Sequence, residues 1–245
     1  FSRFSSLFSF ISNFKFNFER NFLLPCFLTK HLISKNNMAN NFLSRRSSLS
    51  KKVLEDSAII VGSAQVKSRV SDTDYAYRQD SNFFYLSGYE EPESLLLIRP
   101  NKENEEFIIF CRDRDPLREQ WDGFRTGQEG VIENYGADKA FSINSIDQLM
   151  PGLLEGIKNI YFSMSSPCGV DNKISQWVED IRKNTRAGAE PPQNLLSLDL
   201  LLHEMRLIKE DYELEIMKEA ASITTEAHIR AMKAVTPGMY EYQLE

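Results

Sequence analysis

Residues 74–93 read DYAYRQDSNFFYLSGYEEPE, and this stretch decides how the rest of the chain is interpreted. It places six aromatic side chains among charged and amide groups, and it fits neither a 3.6-residue nor a two-residue apolar period. Buried tyrosine hydroxyls need hydrogen-bond partners. The neighbours that can supply them are Arg78, Gln79, Asp80 and Asn82. The pattern predicts a packed loop and a short strand with a polar network, which serves either as scaffold or as part of a site.

The composition bounds the class of protein. A chain of 245 residues with 42% hydrophobic and 26% charged residues is typical of one large or two smaller globular domains. Its net charge of −6 argues against nucleic acid as a partner. The three cysteines form no CxxC pair, which indicates a reducing compartment without a disulfide framework or structural zinc. No HExxH, P-loop or GxGxxG motif is present.

Residues 1–37 differ from the rest of the chain. They hold nine of the 17 phenylalanines and five Lys or Arg against one acid, Glu19. One interpretation is an organellar transit peptide. The other, which we favour, is that translation runs upstream of the true start at Met38. We therefore expect a disordered leader or upstream segment over 1–37 and a cytoplasmic protein, with the mitochondrion as the alternative. No apolar run approaches the ~20 residues needed to span a membrane, so no membrane partner is expected.

Short apolar runs on either side of the opening stretch predict regular elements. An amphipathic helix is expected over 41–54 and a buried strand over 57–62. Two further apolar runs, 94–99 and 106–111, are separated by Pro100 and a polar segment and predict a hairpin. The alternating charges from Arg112 to Trp121 indicate a solvated helix start.

The next part of the chain alternates helices with strands. Gly123, Gly127 and Gly130 indicate a loop, followed by a helix over 145–154 and a strand over 159–164. A second amphipathic helix is indicated by apolar residues at helical spacing, namely Ile174, Trp177, Val178 and Ile181. This order predicts an α/β domain with a mixed sheet flanked by helices. The Gly- and Pro-containing residues 187–194 are expected to form a loop near a domain boundary.

The longest periodic element covers 211–235. Its two apolar stripes predict burial on two sides and therefore packing partners, and Thr236-Pro237-Gly238 ends it. Residues 239–245 begin another element without a terminator, which we interpret as a truncation.

Isolated residues do not form a catalytic apparatus. A nucleophile such as Cys168 needs a nearby base, and His203 and His228 lie in the helical C-terminal segment. Glu90, Glu91 and Glu93 are interpreted as solvated charges on a turn, and Asp72 and Asp74 as turn or N-cap residues.

Several motifs together resemble the aminopeptidase P (Xaa-Pro aminopeptidase) family. They are YRQDSNFFYLSGYEEPE at 77–93, Arg112-Asp113 leading to Trp121, HEMRLIK at 203–209, AHIRAM at 227–232 and PGMYEYQLE at 237–245. The resemblance is colinear over residues 40–245. It implies a creatinase-type N-terminal domain over 38–205 and a truncated start of the pita-bread metallopeptidase domain over 206–245. The latter segment is too short to form a core by itself.

The resemblance also implies an activity. Such enzymes release the first residue of a peptide whose second residue is proline, and they hold two metal ions, usually Mn²⁺, with two Asp, one His and two Glu. None of these ligands is expected before residue 245, so this chain is expected to be inactive and to bind no metal.

The resemblance further implies substrate contacts from the N-terminal domain, often across a neighbouring subunit of a homo-oligomer. Asp72 is the candidate for a peptide amine, Trp121 for an apolar side chain and Arg186 for a carboxylate. The competing structural interpretations are a turn residue, a core aromatic and a surface charge. Two other functions stay open: a prolidase, which accepts only dipeptides, and a non-catalytic binding or assembly module.

Overall fold

The computed structural model describes residues 40–164 and 168–244. Its strands are β1 (Ser57–Gly62), β2 (Ser68–Val70), β3 (Thr73–Asp74), β4 (Leu95–Ile98), β5 (Phe107–Cys111), β6 (Lys139–Ser142), β7 (Asn159–Phe162) and β8 (Asn194–Ser197). Its helices are α1 (40–50), α2 (Ser81–Ser87), α3 (Pro116–Asp122), α4 (Gly127–Tyr135), α5 (Ile146–Leu154), α6 (Val170–Lys183), α7 (Asp199–Leu207) and α8 (Asp211–Ala234). They divide into two compact units, with the boundary between Leu198 and Asp199. The domain division at 205/206 stays a prediction.

A six-stranded mixed sheet forms the centre of the first unit. Its strand order is β6-β5-β4-β1-β7-β8. The pairs β4/β5 and β1/β4 are antiparallel, whereas β5/β6, β1/β7 and β7/β8 are parallel. The predicted α/β class, the mixed sheet and the β4–β5 hairpin are therefore confirmed.

Both faces of the sheet are covered, since β1, β4, β5 and β7 are buried at every position. On one face, Ile60, Leu97 and Phe110 pack against α5 and α6, and Trp177 fills the centre of this layer. All four apolar residues predicted to form one face of α6 are buried there. On the other face, Arg46 of α1 stacks on Phe107 of β5 at 3.8 Å from the ring centroid. The core thus lies in two layers, one on each side of the sheet.

The sequence predicts a loop and a short strand within residues 74–93, and the prediction of a strand is wrong. Residues 81–87 form helix α2 instead. The carboxylate of Asp80 accepts hydrogen bonds from the backbone N–H groups of Asn82 and Phe83, and Gly88 ends the helix at a φ of 68°. Seven residues make only two turns, which is too short for a helical period to show in the sequence.

Other elements also differ from the predictions. Helix α4 occupies the region predicted as a glycine-punctuated loop. The outer strands β6 and β8 were not predicted, since β6 is only partly buried, β8 is mostly exposed and neither has a long apolar run. β8 begins at Asn194, the last residue of the expected 187–194 loop.

The second unit contains α7 and α8. Helix α8 has the predicted length, but none of its residues is buried within the described chain, so its packing partners stay a prediction. Its apolar side chains, such as Ile223 and Met232, are mostly exposed. None of the helices in the described ranges combines the length and apolar character needed to cross a bilayer.

Candidate functional site: the support of the Trp121 segment

The three residues predicted to contact substrate lie on three separate elements of the first unit. Asp72 is exposed in the turn between β2 and β3, where it accepts a hydrogen bond from the Thr73 hydroxyl at 3.4 Å. Arg186 is exposed in the short 3₁₀ helix Thr185–Ala187. Trp121 lies in α3 and is 87% exposed, so the interpretation as a core aromatic is wrong. Within residues 40–164 and 168–244, no hydrogen bond or ion pair joins these three side chains. Their roles toward substrate stay predictions.

Trp121 belongs to an excursion between β5 and α4 that we call the Trp121 segment (residues 112–126). No residue of this segment is buried. Leu117 and Phe124 in the same segment are also exposed, at 76% and 70%. The Asp115 carboxylate caps α3 by accepting from the N–H groups of Leu117 and Arg118. The segment presents large apolar side chains to its surroundings without an apolar anchor of its own.

Glu91 joins the two ends of the Trp121 segment. One carboxylate oxygen accepts from the Thr126 backbone N–H at 2.7 Å and from the Thr126 hydroxyl at 2.5 Å. The other accepts from the Arg112 guanidinium at 3.3 Å. The side chains of Glu91 and Arg112 are only 17% and 15% exposed. The prediction that Glu91 is a solvated charge is therefore wrong.

Gln79 holds the turn that carries Glu91. Its side-chain N–H₂ group donates to the backbone carbonyls of Tyr89 at 3.3 Å and Glu91 at 3.0 Å. Its carbonyl oxygen accepts from the backbone N–H groups of Ala64 and Asp80, both at 2.9 Å, and from the Tyr77 hydroxyl at 3.0 Å. The predicted polar network is confirmed for the Tyr77 hydroxyl, which bonds the Gln79 amide at the centre of the network.

Asp113 provides a second attachment at the carboxyl ends of β5 and β6. Its carboxylate accepts from Gln128 at 2.8 Å, from the Ser142 hydroxyl at 2.6 Å and from Asn144 at 3.3 Å. Because β5 and β6 are parallel, the residues that follow them meet at one edge of the sheet. This attachment fixes the start of the Trp121 segment to α4 and to β6.

The titratable groups beneath this network stay protonated at neutral pH. Burial, together with the nearby carboxylates of Glu91 and Asp113, raises the pKa of the Cys111 thiol to about 12. Burial, followed by the charge of Glu91, raises the pKa of Tyr89 well above its usual value. Burial also raises the pKa of Tyr77 to about 12. A thiol and two phenols that resist ionisation are poor nucleophiles, so the network supports structure and not bond cleavage.

The other chemical candidates do not assemble into a site. Cys168 is half-buried in the first unit. His203 lines an open depression of about 410 Å³ in the second unit together with Arg206, Leu207, Lys209 and Glu213. The Lys209 ammonium there donates to the backbone carbonyls of Arg206 and Leu207, so it is engaged at the end of α7. In the part of the chain that the structure describes, no group of three or more His, Cys, Asp or Glu is arranged to hold a metal ion.

Comparison with known proteins identifies the fold that carries this network. Residues 42–161 match the family model described as the aminopeptidase P N-terminal domain, a range that extends from α1 into β7 and contains Gln79, Glu91 and the whole Trp121 segment. Residues 42–161 therefore form an aminopeptidase P N-terminal domain. The resemblance stated from the sequence motifs, and the creatinase-type α/β fold that it implied, are confirmed.

Individual relatives extend the match beyond that domain. The Xaa-Pro aminopeptidase of Escherichia coli is 35% identical over 205 residues, which are 83% of this chain and 46% of that protein. The structure of Pseudomonas aeruginosa aminopeptidase PepP superimposes with a TM-score of 0.82 and 41% identity, covering 84% of this chain and 47% of that one. A zinc-substituted E. coli aminopeptidase P in complex with product gives a TM-score of 0.80 and 33% identity, with coverages of 84% and 47%.

Two facts follow from these matches. The chain spans about half the length of the relatives it matches. The aminopeptidase P family is a family of metalloaminopeptidases, although the described residues of this chain do not contain a ligand set that fits a metal. Sequence reasoning identified the family correctly, but it did not assign Gln79 and Glu91 their structural roles. The signal available for those roles was the concentration of amide and carboxylate groups among buried aromatics.

Proposed function

We propose that this chain is the N-terminal portion of a metal-dependent Xaa-Pro aminopeptidase, which releases an N-terminal residue that precedes proline. The observation that carries the proposal is the continuous match to Xaa-Pro aminopeptidases over more than four fifths of the chain. Peptides with proline at the second position are the proposed substrates, and two Mn²⁺ ions are the proposed cofactor of the complete enzyme. The 245-residue chain by itself is proposed to be inactive, because the resemblance implies that the two Asp, one His and two Glu of the family lie outside the part that this chain matches.

The N-terminal domain contributes shape and not reaction chemistry in this proposal. Trp121 packs on an apolar side chain of the peptide, Asp72 meets its amine and Arg186 pairs with a carboxylate. The exposure of Trp121, together with its neighbours Leu117 and Phe124, supports a contact with a molecule outside the first unit. A neighbouring subunit of a homo-oligomer supplies the rest of the cleft. The cytoplasm is the proposed location, with the mitochondrion as the alternative if residues 1–37 act as a transit peptide.

The decisive experiment is to read the coding sequence in frame beyond Glu245 and to express any continuation that carries the five metal ligands. Such a protein is expected to cleave a Gly-Pro-Xaa tripeptide with Mn²⁺, to lose this activity in a chelator and to leave a Gly-Ala-Xaa tripeptide intact. Cleavage of Gly-Pro dipeptides alone would replace the proposal with a prolidase. An immediate stop codon, or a continuation without the ligands, would overturn it in favour of a non-catalytic module.

A further inference from the structure

The position of the Trp121 segment depends on polar contacts. None of residues 112–126 is buried, whereas the residues on either side of it, Cys111 and Gly127, are buried. Apolar burial therefore fixes where the segment leaves and rejoins the domain but does not fix the segment itself. Within the segment, Arg114 pairs with Glu119 at 2.7 Å and lies over the Phe124 ring at 4.5 Å. These contacts shape the segment, but they do not attach it to the sheet.

Two carboxylates provide the attachment, and they act differently. Asp113 lies within the segment and contacts Ser142 and Asn144, and its bond to Gln128 links the first end to the helix that follows the second. Glu91 contacts Arg112 at the first end and Thr126 at the second. It lies outside the segment, on the turn after α2, and ties both ends of the segment to one point of the scaffold. Hydrogen bonds to a partly buried carboxylate are stronger than neutral ones, so this closure contributes substantially to the placement of the segment.

The position of Glu91 is itself set by the scaffold. Its backbone carbonyl accepts from Gln79 at 3.0 Å and from the Ser94 hydroxyl at 3.1 Å, and Ser94 directly precedes β4. The carboxylate therefore projects from a turn that is held on both sides. Any displacement of the Trp121 segment must break the contacts of this fixed group.

We propose that Glu91 is a positioning residue for Trp121: by joining Arg112 and Thr126 it sets where the exposed tryptophan stands. This inference rests on the proposed function, in which Trp121 contacts an apolar side chain of the peptide. Glu91 itself touches no substrate and transfers no proton. Its loss releases the segment while leaving the sheet and its two apolar layers in place.

Hydrogen exchange of the 245-residue chain tests the placement directly. Glu91→Ala is expected to accelerate amide exchange in residues 113–126 by about tenfold or more, because the Thr126 N–H loses its acceptor and the segment opens locally. Exchange in α6 is expected to stay unchanged. Glu91→Gln keeps an acceptor for Thr126 but loses the ion pair with Arg112, so an intermediate acceleration is expected. Glu90→Ala is the matched control, since Glu90 is the exposed neighbour on the same turn and should leave exchange unaltered.

Two results would overturn the proposal. One is that the amides of residues 113–126 exchange at the wild-type rate in the Glu91→Ala variant. The other is an equal acceleration in α6 and in the segment for both Glu91 variants, which would make Glu91 a general stability residue.

An activity measurement separates this inference from the proposed function. In the longer, metal-binding protein, Glu91→Gln is expected to raise KM several-fold for peptides with a large apolar first residue while kcat changes less than about twofold. This pattern is expected because the lost contact stabilises the bound substrate and the transition state equally. The effect should vanish in a Trp121→Ala background, because the residue being positioned is gone. Absence of activity in the parent protein would refute the proposed function and leave the exchange result standing. Activity with additive effects of the two substitutions would refute the positioning role alone.

Discussion

The Gln79 side-chain amide donates a hydrogen bond to the backbone carbonyl of Glu91 at 3.0 Å, across twelve positions of the chain. This contact links the aromatic stretch to the carboxylate that joins both ends of the Trp121 segment. The stretch that looked like a potential active-site loop is therefore a support. Its hydrogen bonds connect the buried core to the exposed Trp121 segment, and none of its ionisable groups takes part in a reaction.

Replacement of Gln79 by alanine tests this support. Gln79→Ala removes five hydrogen bonds and leaves the N–H groups of Ala64 and Asp80 without their acceptor. We expect the free energy of unfolding of the first unit to fall by about 3 kcal/mol, since each net bond contributes roughly 1 kcal/mol and unpaired buried groups cost more. Urea denaturation followed by tryptophan fluorescence measures this, because buried Trp177 reports on the core. Gln120→Ala, at an exposed position of α3, is the control; an equal effect of both substitutions would contradict the role of Gln79.

The end of α2 provides a second test. Gly88 has a φ of 68°, and an added Cβ would overlap the ring of Phe42 in α1. Gly88→Ala is expected to destabilise the protein by about 2–4 kcal/mol, through left-handed strain and overpacking. Gly152→Ala in α5 is the matched control, since a Cβ there meets no atom within 4 Å. It should raise stability by about 0.5–1 kcal/mol, as expected for a helix interior. Similar melting temperatures for the two variants would contradict the packing described around α2.

Stability is expected to fall at alkaline pH. The pKa of Cys111 rises from 9.0 to about 12 and that of Tyr77 from 10.0 to about 12 on folding, in both cases mainly through burial. Both groups are acids that ionise more readily in the unfolded chain, so the unfolded state binds fewer protons between these pKa values and stability decreases as pH rises. Cys111 alone should lower the free energy of unfolding by about 1 kcal/mol between pH 9 and pH 10.

Urea denaturation at these two pH values measures the alkaline effect. Cys111→Ala and Tyr77→Phe are expected to flatten the dependence on pH, each by its own share. Cys168→Ala, at a half-buried position, serves as the control for the loss of a thiol. If the free energy of unfolding of the Cys111→Ala variant falls with pH as steeply as that of the wild type, this thiol does not cause the loss of stability.

The sequence was sufficient for the elements with long or strongly apolar patterns. β1, β4, β5 and β7 are buried along their whole length, and α6 has five buried residues at helical spacing, so each produces a clear signal. The short helix α2 and the outer strands β6 and β8 give no such signal, because two turns or a half-exposed edge do not impose a period.

The site was harder to predict than the fold for a related reason. Glu91 looks like a solvated charge when only Glu90 and Glu93 are considered beside it. Its partners, Arg112 and Thr126, lie 21 and 35 positions away and come together only through the register of the sheet. The motif around Glu91 was enough to identify the family, but its physical role required the tertiary contacts.

The most direct measurement of the central claim is the cleavage of a Gly-Pro-Xaa tripeptide by the 245-residue chain, assayed for released glycine with and without Mn²⁺. Because the described residues contain no group of three or more His, Cys, Asp or Glu arranged to hold a metal ion, we predict no release above the uncatalysed rate. Release at an enzyme-like rate, dependent on Mn²⁺ and abolished by a chelator, would contradict the account.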